Sequence, residues 1–398
     1  MMELSFPIPA GASNPVPCSR TSDVCRVFDA TEENLKEYHD SLIDAGFSLI
    51  TERRLPSGIF YTYIKDKAKL SVSLLRTRKE LRVFSSFNHP LPPFSAMGEK
   101  KHNFVTLTQF STASSQSVDS KSCSGMGYIL RLRDGRLIVI DGGFHSEPFE
   151  DDYPELVRVM WELSDGKKPH VAAWIITHSH LDHYGSLAKF TEEDADIDAY
   201  ISLLSKEGVA DNACLDMMSS IPNYAEKNYA PHAAERIDFG DVVMDVHYTY
   251  EEGELYSPER VQGDVNNHSL IFSFTVDGQK LLFVGDAYYH AAILAAELAG
   301  DDIKADICQI GHHGRTTSKD DLFYQLVAPK VALWPGCYEH IDLFRLVRGT
   351  NRWIFGEEST IVDHFVATDG HQTLALPYTP VGLPYCSDGR YPPENLTK

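Results

Sequence analysis

Val171-Ala172-Ala173-Trp174-Ile175-Ile176-Thr177-His178-Ser179-His180-Leu181-Asp182-His183-Tyr184-Gly185 decides the reading of this chain. Its first six residues are a short apolar run of the length and composition of a buried strand. Directly after that run, three histidines and an aspartate fall within six positions. Imidazole nitrogens and carboxylate oxygens suit borderline divalent cations, and an irregular loop at a strand end lets alternate side chains turn toward one point. His178 and His180 are expected to face one ion. Asp182 and His183, leaving the strand end in a diverging direction, are expected to face a second. The bland alternative, a decorated surface loop, requires four ligand-type residues to collect behind a buried strand by composition alone.

Working outward, the chain divides by texture. Thr31 to Gly46 begins with a Thr-x-x-Asn cap candidate, spaces its apolar residues helically and stops at glycine, so it predicts a helix. Phe47–Arg53, Gly58–Lys65, Leu70–Arg76 and Glu80–Phe84 are short runs rich in aromatic and branched residues with turn residues between them, which predict a small antiparallel sheet. The proline-dense Asn88–Phe94 reads as a linker. The expectation is a small α+β unit over 1–95, of unassigned role, and a larger α/β unit over 96–398. In the larger unit the candidate strands are Phe104–Phe110, Gly127–Leu132, Leu137–Ile140, Ala172–Thr177, Leu270–Val276, Lys280–Val284, Ile307–Ile310 and Val331–Trp334. Tyr153–Leu163 is expected to be a helix, with Pro154 in its first turn and Gly166 past its end.

His178-x-His180-x-Asp182-His183 resembles the H-x-H-x-D-H motif of the metallo-β-lactamase-fold superfamily. Other landmarks follow in the family's order. Leu137–Ile140 followed by Asp141-Gly142-Gly143 is similar to the early strand whose acid supports the histidine loop. Leu281–Gly285 followed by Asp286 is similar to the later strand whose aspartate bridges two metals. Ile307–Gly311 followed by His312-His313-Gly314 is similar to the element that closes the second metal site. The resemblance spans roughly Phe104 to Pro377 and implies a four-layer αββα sandwich with two divalent cations at one sheet edge. Of the late histidines, His312 is the expected ligand because it lies nearer the strand end, with His313 orienting a ligand or the substrate.

The chain departs from the family at one point. A further histidine often comes from the loop before the Asp286 strand, and here that stretch is Gly263-Asp264-Val265-Asn266-Asn267-His268-Ser269-Leu270. Either His268 or Asn266 stands near the family position. The Asn-Asn-x-Ser-Leu pattern, with His-His-Gly, is similar to the hydrolase domain at the C-terminus of bacterial DNA-uptake channel proteins. Zinc or manganese is the expected cation, with iron also compatible.

Two cations sharing a water lower its pKa and make hydroxide available at ordinary pH. The resemblance therefore implies a hydrolase of small ester-type substrates, in which Asp286 bridges the cations and Asp182 also accepts or delivers a proton. Arg315, in Arg315-Thr316-Thr317-Ser318, offers a guanidinium suited to a phosphoryl or carboxylate oxygen, and Ser318 a hydroxyl. This favours a phosphoester or phosphodiester. Tyr184, Tyr288 and His290 lie close in sequence to the ligands, and Trp334–His340 reads equally as pocket lining or as core and turn.

Composition narrows the partners. Acidic residues number 57 against 36 basic ones, for a net charge of −21, and basic residues form no stripe. That field opposes polyanions and anionic bilayers, so a small molecule is the expected substrate and a nuclease the weaker alternative. A metal-binding regulatory protein with little catalysis is a second alternative, and a di-iron redox enzyme a third. The completeness of the histidine motif counts against the former, and the lack of a glycine-rich flavin segment against the latter. The N-terminus has no basic region before an apolar run, no stretch reaches membrane-spanning length, and the seven cysteines are scattered without a C-x-x-C pair. A reducing cytoplasm is the expected compartment. Oligomeric state is left open.

Overall fold

The computed structural model describes residues 6–87, 98–116, 123–144, 151–205, 209–221, 223–261, 263–316 and 319–386. Among them the strands form three sheets of six, eight and seven strands. The six-stranded sheet contains Ser22–Phe28, Ser48–Leu55, Gly58–Lys65, Ala68–Leu75 and Glu80–Phe87, all antiparallel, with the helix Glu32–Asp44 packed on it. Thr31 caps that helix: its hydroxyl accepts from Asn34 N while Asn34 Oδ1 accepts from Thr31 N. Ser22–Phe28 has no counterpart in the sequence reading, because Asp23 and Arg26 break its apolar run. The expected linker Asn88–Phe94 lies outside the described residues.

The other two sheets form the expected sandwich. The first runs Asn228–Tyr229, Tyr200–Ile201, His170–Ile175, Leu137–Asp141, Gly127–Arg131, Val105–Gln109 and Gln372–Leu376 in spatial order, and Asp196–Ile197 also pairs with His170–Ile175. The second runs Arg236–Asp238, Val243–Tyr248, Ile271–Val276, Gln279–Phe283, Ile307–Gln309, Val331–Trp334 and Asp363–Val366. Ile138, Ile140, Ala173 and Ile175 of one sheet and Phe272, Phe274, Leu281 and Phe283 of the other are fully buried between them. Full burial of such a side chain contributes roughly 1.5–3 kcal/mol. Helices cover both outer faces: Tyr153–Leu163 packs through Leu156, Val159 and Met160 on the first, and Tyr289–Ala299 and Asp320–Val327 pack on the second. The architecture is αββα.

Strand direction sets the place of the chemistry. Leu137–Asp141 and His170–Ile175 are parallel with Ile140 opposite Ile175, so Asp141 and the Thr177–His183 loop emerge together. In the other sheet Gln279–Phe283, Ile307–Gln309 and Val331–Trp334 are parallel, with Leu282 opposite Cys308 and Cys308 opposite Ala332. Their C-terminal ends therefore deliver Asp286, His312-His313 and Pro335-Gly336-Cys337 to one edge, the place where parallel sheets present ligand sites. No helix among the described residues is long and apolar enough to cross a membrane.

Candidate metal centre

Two groups of ligand-type side chains share one carboxylate. His178, His180 and Asp286 form the first, and Asp182, His183, Asp286 and His313 the second; within each, the ligand atoms all lie within 4.8 Å of one another. In the first group His178 Nε2 is 3.0 Å from His180 Nδ1 and 3.9 Å from Asp286 Oδ2. In the second, His183 Nε2 stands 3.3 Å from Asp286 Oδ2 and 3.7 Å from Asp182 Oδ2, while His313 Nε2 is 3.2 Å from each of those oxygens. Ligands about 2.1 Å from a cation at tetrahedral corners are about 3.4 Å apart, so these spacings fit such a cation. His183 Nε2, His313 Nε2 and Asp286 Oδ1 are also buried without a hydrogen-bond partner. Unpaired buried polar atoms are costly in a folded interior, and a cation held among them would satisfy all three.

Hydrogen bonds aim the ligand atoms. Asp141 Oδ1 accepts from Thr177 N at 2.8 Å, and its Oδ2 accepts from Thr177 Oγ1 at 2.7 Å and His183 Nδ1 at 2.8 Å. A proton on His183 Nδ1 leaves the Nε2 lone pair facing the centre. His313 Nδ1 donates to Pro335 O at 2.9 Å with the same effect. Gly285 has φ +56°, and a Cβ there would meet Ser269 Oγ at 2.9 Å and Thr177 Cβ at 3.0 Å, so only glycine lets the chain turn into Asp286 beside the histidine loop. Asp286 N then donates to Ser269 Oγ at 3.0 Å.

Charge follows the same design. Burial disfavours the protonated imidazole of His183, yet Asp286, Asp182 and Asp141 outweigh it and push its pKa well above the ordinary value. His313 moves up to about 9, burial again being overcome by Asp286 and Asp182. Burial opposes ionisation of Asp286, but His313, His183 and His312 hold it well below the carboxylate range. His178, buried and beside His183, goes the other way, well below the ordinary imidazole value. The carboxylates thus create a field that favours positive charge at the point their histidines face.

Several expected residues sit elsewhere. His312, the expected late ligand, lies outside both groups with its Nε2 3.9 Å from Asp286 Oδ2, the same distance as His178 Nε2, while His313 joins the second group. Both late histidines adopt left-handed backbone, φ 48° and 54°, so the chain curls as it leaves the strand and swings the second imidazole inward. His268 is also outside both groups. The short turn Val265–His268 carries its ring against Tyr250, centroids 5.3 Å apart, with Nδ1 3.6 Å from Asp211 Oδ2. Asn266 Nδ2 donates to Tyr288 OH at 3.3 Å, and Tyr288 stacks edge-on to His312 at 5.0 Å; the Asn266 Oδ1 is buried without a hydrogen bond. Tyr184 is buried in the outer core with its hydroxyl 3.5 Å from Met217 Sδ. His290 lies beside Arg260. Ser318 falls outside the described residues. Arg315 is where the reading placed it in the chain, donating from Nη2 to Cys123 O at 2.8 Å and from Nε to His340 Nδ1 at 3.2 Å.

Sequence reasoning overlooked Asp211, whose Oδ1 accepts from Ser179 Oγ at 2.9 Å and so ties the histidine loop to the helix Val209–Met218. It also overlooked Gly125, whose N donates to Asp182 Oδ2 at 3.2 Å. An acid and a glycine without a motif carry no local signal of such roles.

The description "Metallo-beta-lactamase superfamily" matches residues 123–333, more than half of the chain. The chain belongs to that superfamily. No curated protein matches it in sequence. Among solved structures it is similar to the isothiocyanate hydrolase from Delia radicum gut bacteria, at 15% identity over 68% of this chain and 98% of that one, with TM-score 0.36. It is similar to Zn(2+)-bound PqqB from Methylobacterium extorquens, at 12% identity over 56% and 77%, with TM-score 0.34. The diiron beta-hydroxylase CmlA from Streptomyces venezuelae is similar at 12% identity over 69% of this chain, with TM-score 0.36; this chain spans 54% of that protein's length.

Proposed function

We propose that the protein is a dinuclear hydrolase of small ester-type substrates, with a phosphoester or phosphodiester as the substrate class. The observation that carries this reading is the sharing of Asp286 Oδ2 between the two ligand groups. His178, His180 and Asp286 would hold one divalent cation, and Asp182, His183, Asp286 and His313 the other. All six contributing side chains offer nitrogen or oxygen, which suits zinc or manganese and accommodates iron. A bound pair of cations supplies a water of lowered pKa and polarises the scissile group.

The chain's own groups divide the remaining work. Asp141 and Pro335 O fix the tautomers of His183 and His313, so neither imidazole reorients during turnover. Asp286 is sealed, with its side chain 2% exposed, whereas that of Asp182 is 15% exposed. Asp182 is therefore the carboxylate placed to exchange a proton with a water or a leaving group. Arg315, held beside the centre by Cys123 O and His340, brings a fixed positive charge to an anionic substrate oxygen. The test is metal analysis of the purified protein with a panel of chromogenic phosphomonoester, phosphodiester, thioester and lactone substrates. About two cations per chain and preferential turnover of a phosphoester support the reading; preferential turnover of a lactone or thioester overturns the substrate class.

A further inference from the structure

Cys123, Cys337 and His340 form a further buried cluster, their ligand-type atoms all within 4.8 Å of one another. The three are 0%, 2% and 4% exposed. Cys123 Sγ lies 2.7 Å from Cys337 N. With an N–Cα bond of about 1.46 Å, Cys337 Cα is then within about 4.2 Å of Cys123 Sγ, a span that the Cys337 side chain can bridge. His340 is already engaged, since its Nδ1 accepts from Arg315 Nε. The guanidinium flanks the pair, also donating to Cys123 O. Burial pushes the Cys123 thiol well up despite that charge, whereas the hydrogen bond with Cys123 draws Cys337 down, and the positive neighbour disfavours an added cation.

The position of the pair gives it a consequence. The Cys123 segment continues into Gly125, which donates to Asp182. The Cys337 segment begins at Pro335, whose carbonyl orients His313. A Cβ on Gly336 would stand 2.3 Å from His313 O, so the two backbones are in direct contact. The thiols therefore join two segments that each hold one ligand of the second group, Asp182 and His313.

We propose that Cys123 and Cys337 are a redox-active dithiol that closes to a disulfide and pins these two loops together. The oxidant is a hydroperoxide, small enough for thiols so little exposed. One thiolate attacks the peroxide, giving a sulfenic acid and releasing hydroxide, or alcohol from an organic peroxide. The second thiol then attacks the sulfenic sulfur and expels water. Two thiols are oxidised to one disulfide and one peroxide is reduced. The proposal is independent of substrate and of hydrolase activity.

The test is covalent. Full-length protein carrying Cys386→Ser, which removes the exposed thiol, is treated with hydrogen peroxide while folded, then denatured for thiol counting and peptide mapping. The expected result is a fall from six thiols to about four, with a single cross-linked peptide joining Cys123 to Cys337 that disappears on reduction. Cys337→Ala in the same background is expected to abolish the cross-link. Persistence of all six thiols, sulfinic acid at either position without a cross-link, or a third tightly bound cation that protects both thiols would each overturn the proposal. The unsubstituted pair is mapped directly, so the result does not depend on whether the alanine variant folds.

Discussion

Buried charge collects in two regions of this molecule, and the two treat it differently. Where the six-stranded sheet meets the sandwich, Lys69, 2% exposed, donates to Glu235 at 2.9 Å and to Ala230 O at 2.7 Å, while Tyr229 OH donates to the same carboxylate at 2.7 Å. Arg82 Nη1 reaches Glu252 at 2.6 Å, Arg53 reaches Asp302 at 2.7 Å, and His232 reaches Glu251 at 2.6 Å. Lys69 and Glu235 satisfy each other there. At the metal centre, His183 Nε2, His313 Nε2 and Asp286 Oδ1 are just as buried yet lack hydrogen bonds and converge. Burial of charge does not by itself mark a site; buried valence left unspent in one place does.

That contrast can be broken at either end. The largest effect is expected from Asp286→Asn, which weakens the shared ligand: metal content should fall from about two equivalents per chain to well under one, with hydrolysis lost and the circular dichroism spectrum retained. Asp182→Asn should also remove turnover, by about 10²-fold or more, with the fold intact. Unchanged turnover in that variant would remove Asp182 from the chemistry.

At the interface the sign is reversed. Lys69→Met leaves Glu235 buried without its cation and is expected to cost ~3–5 kcal/mol in chemical denaturation, while metal content stays at the wild-type value. Adding Glu235→Leu should recover most of the loss. If the double variant is no more stable than the single one, the pair is more than a mutually satisfied charge.

A pH series on metal-depleted protein separates the regions further. The folded pKa of His313 is raised from 6.5 to about 9, so its stabilising contribution is full below 6.5 and is lost as pH rises toward 9. Melting temperature should fall across that window and the slope should flatten in His313→Gln. Loaded protein should show no such fall, because proton and cation compete for Nε2. The smallest effect is expected from Ser179→Ala, which removes the bond to Asp211: about 1 kcal/mol of stability and about tenfold in metal affinity by competition with a chelator.

Much of the fold was legible because its signals are local. Gly58–Lys65, Tyr153–Leu163 and Val331–Trp334 carry their own apolar patterns and boundary residues, and each forms with the bounds read from sequence. The helix Tyr289–Ala299 went unread because its alanines present no polar face to give it a period. The closing strand Gln372–Leu376 went unread because its place is set by pairing with Val105–Gln109, more than 260 residues away in sequence. Lys69 and Glu235 went unread because either alone is an ordinary charged residue.

The sequence by itself determined the donor chemistry: histidines and aspartates behind short buried strands, in an order that suits two cations sharing one acid. Only tertiary structure decided that His313 rather than His312 turns inward, that His268 turns toward Asp211, and that Cys123 meets Cys337. The physical reason is that residue type is written locally, whereas the direction of a side chain at a strand end depends on left-handed backbone and on contacts from segments hundreds of residues apart.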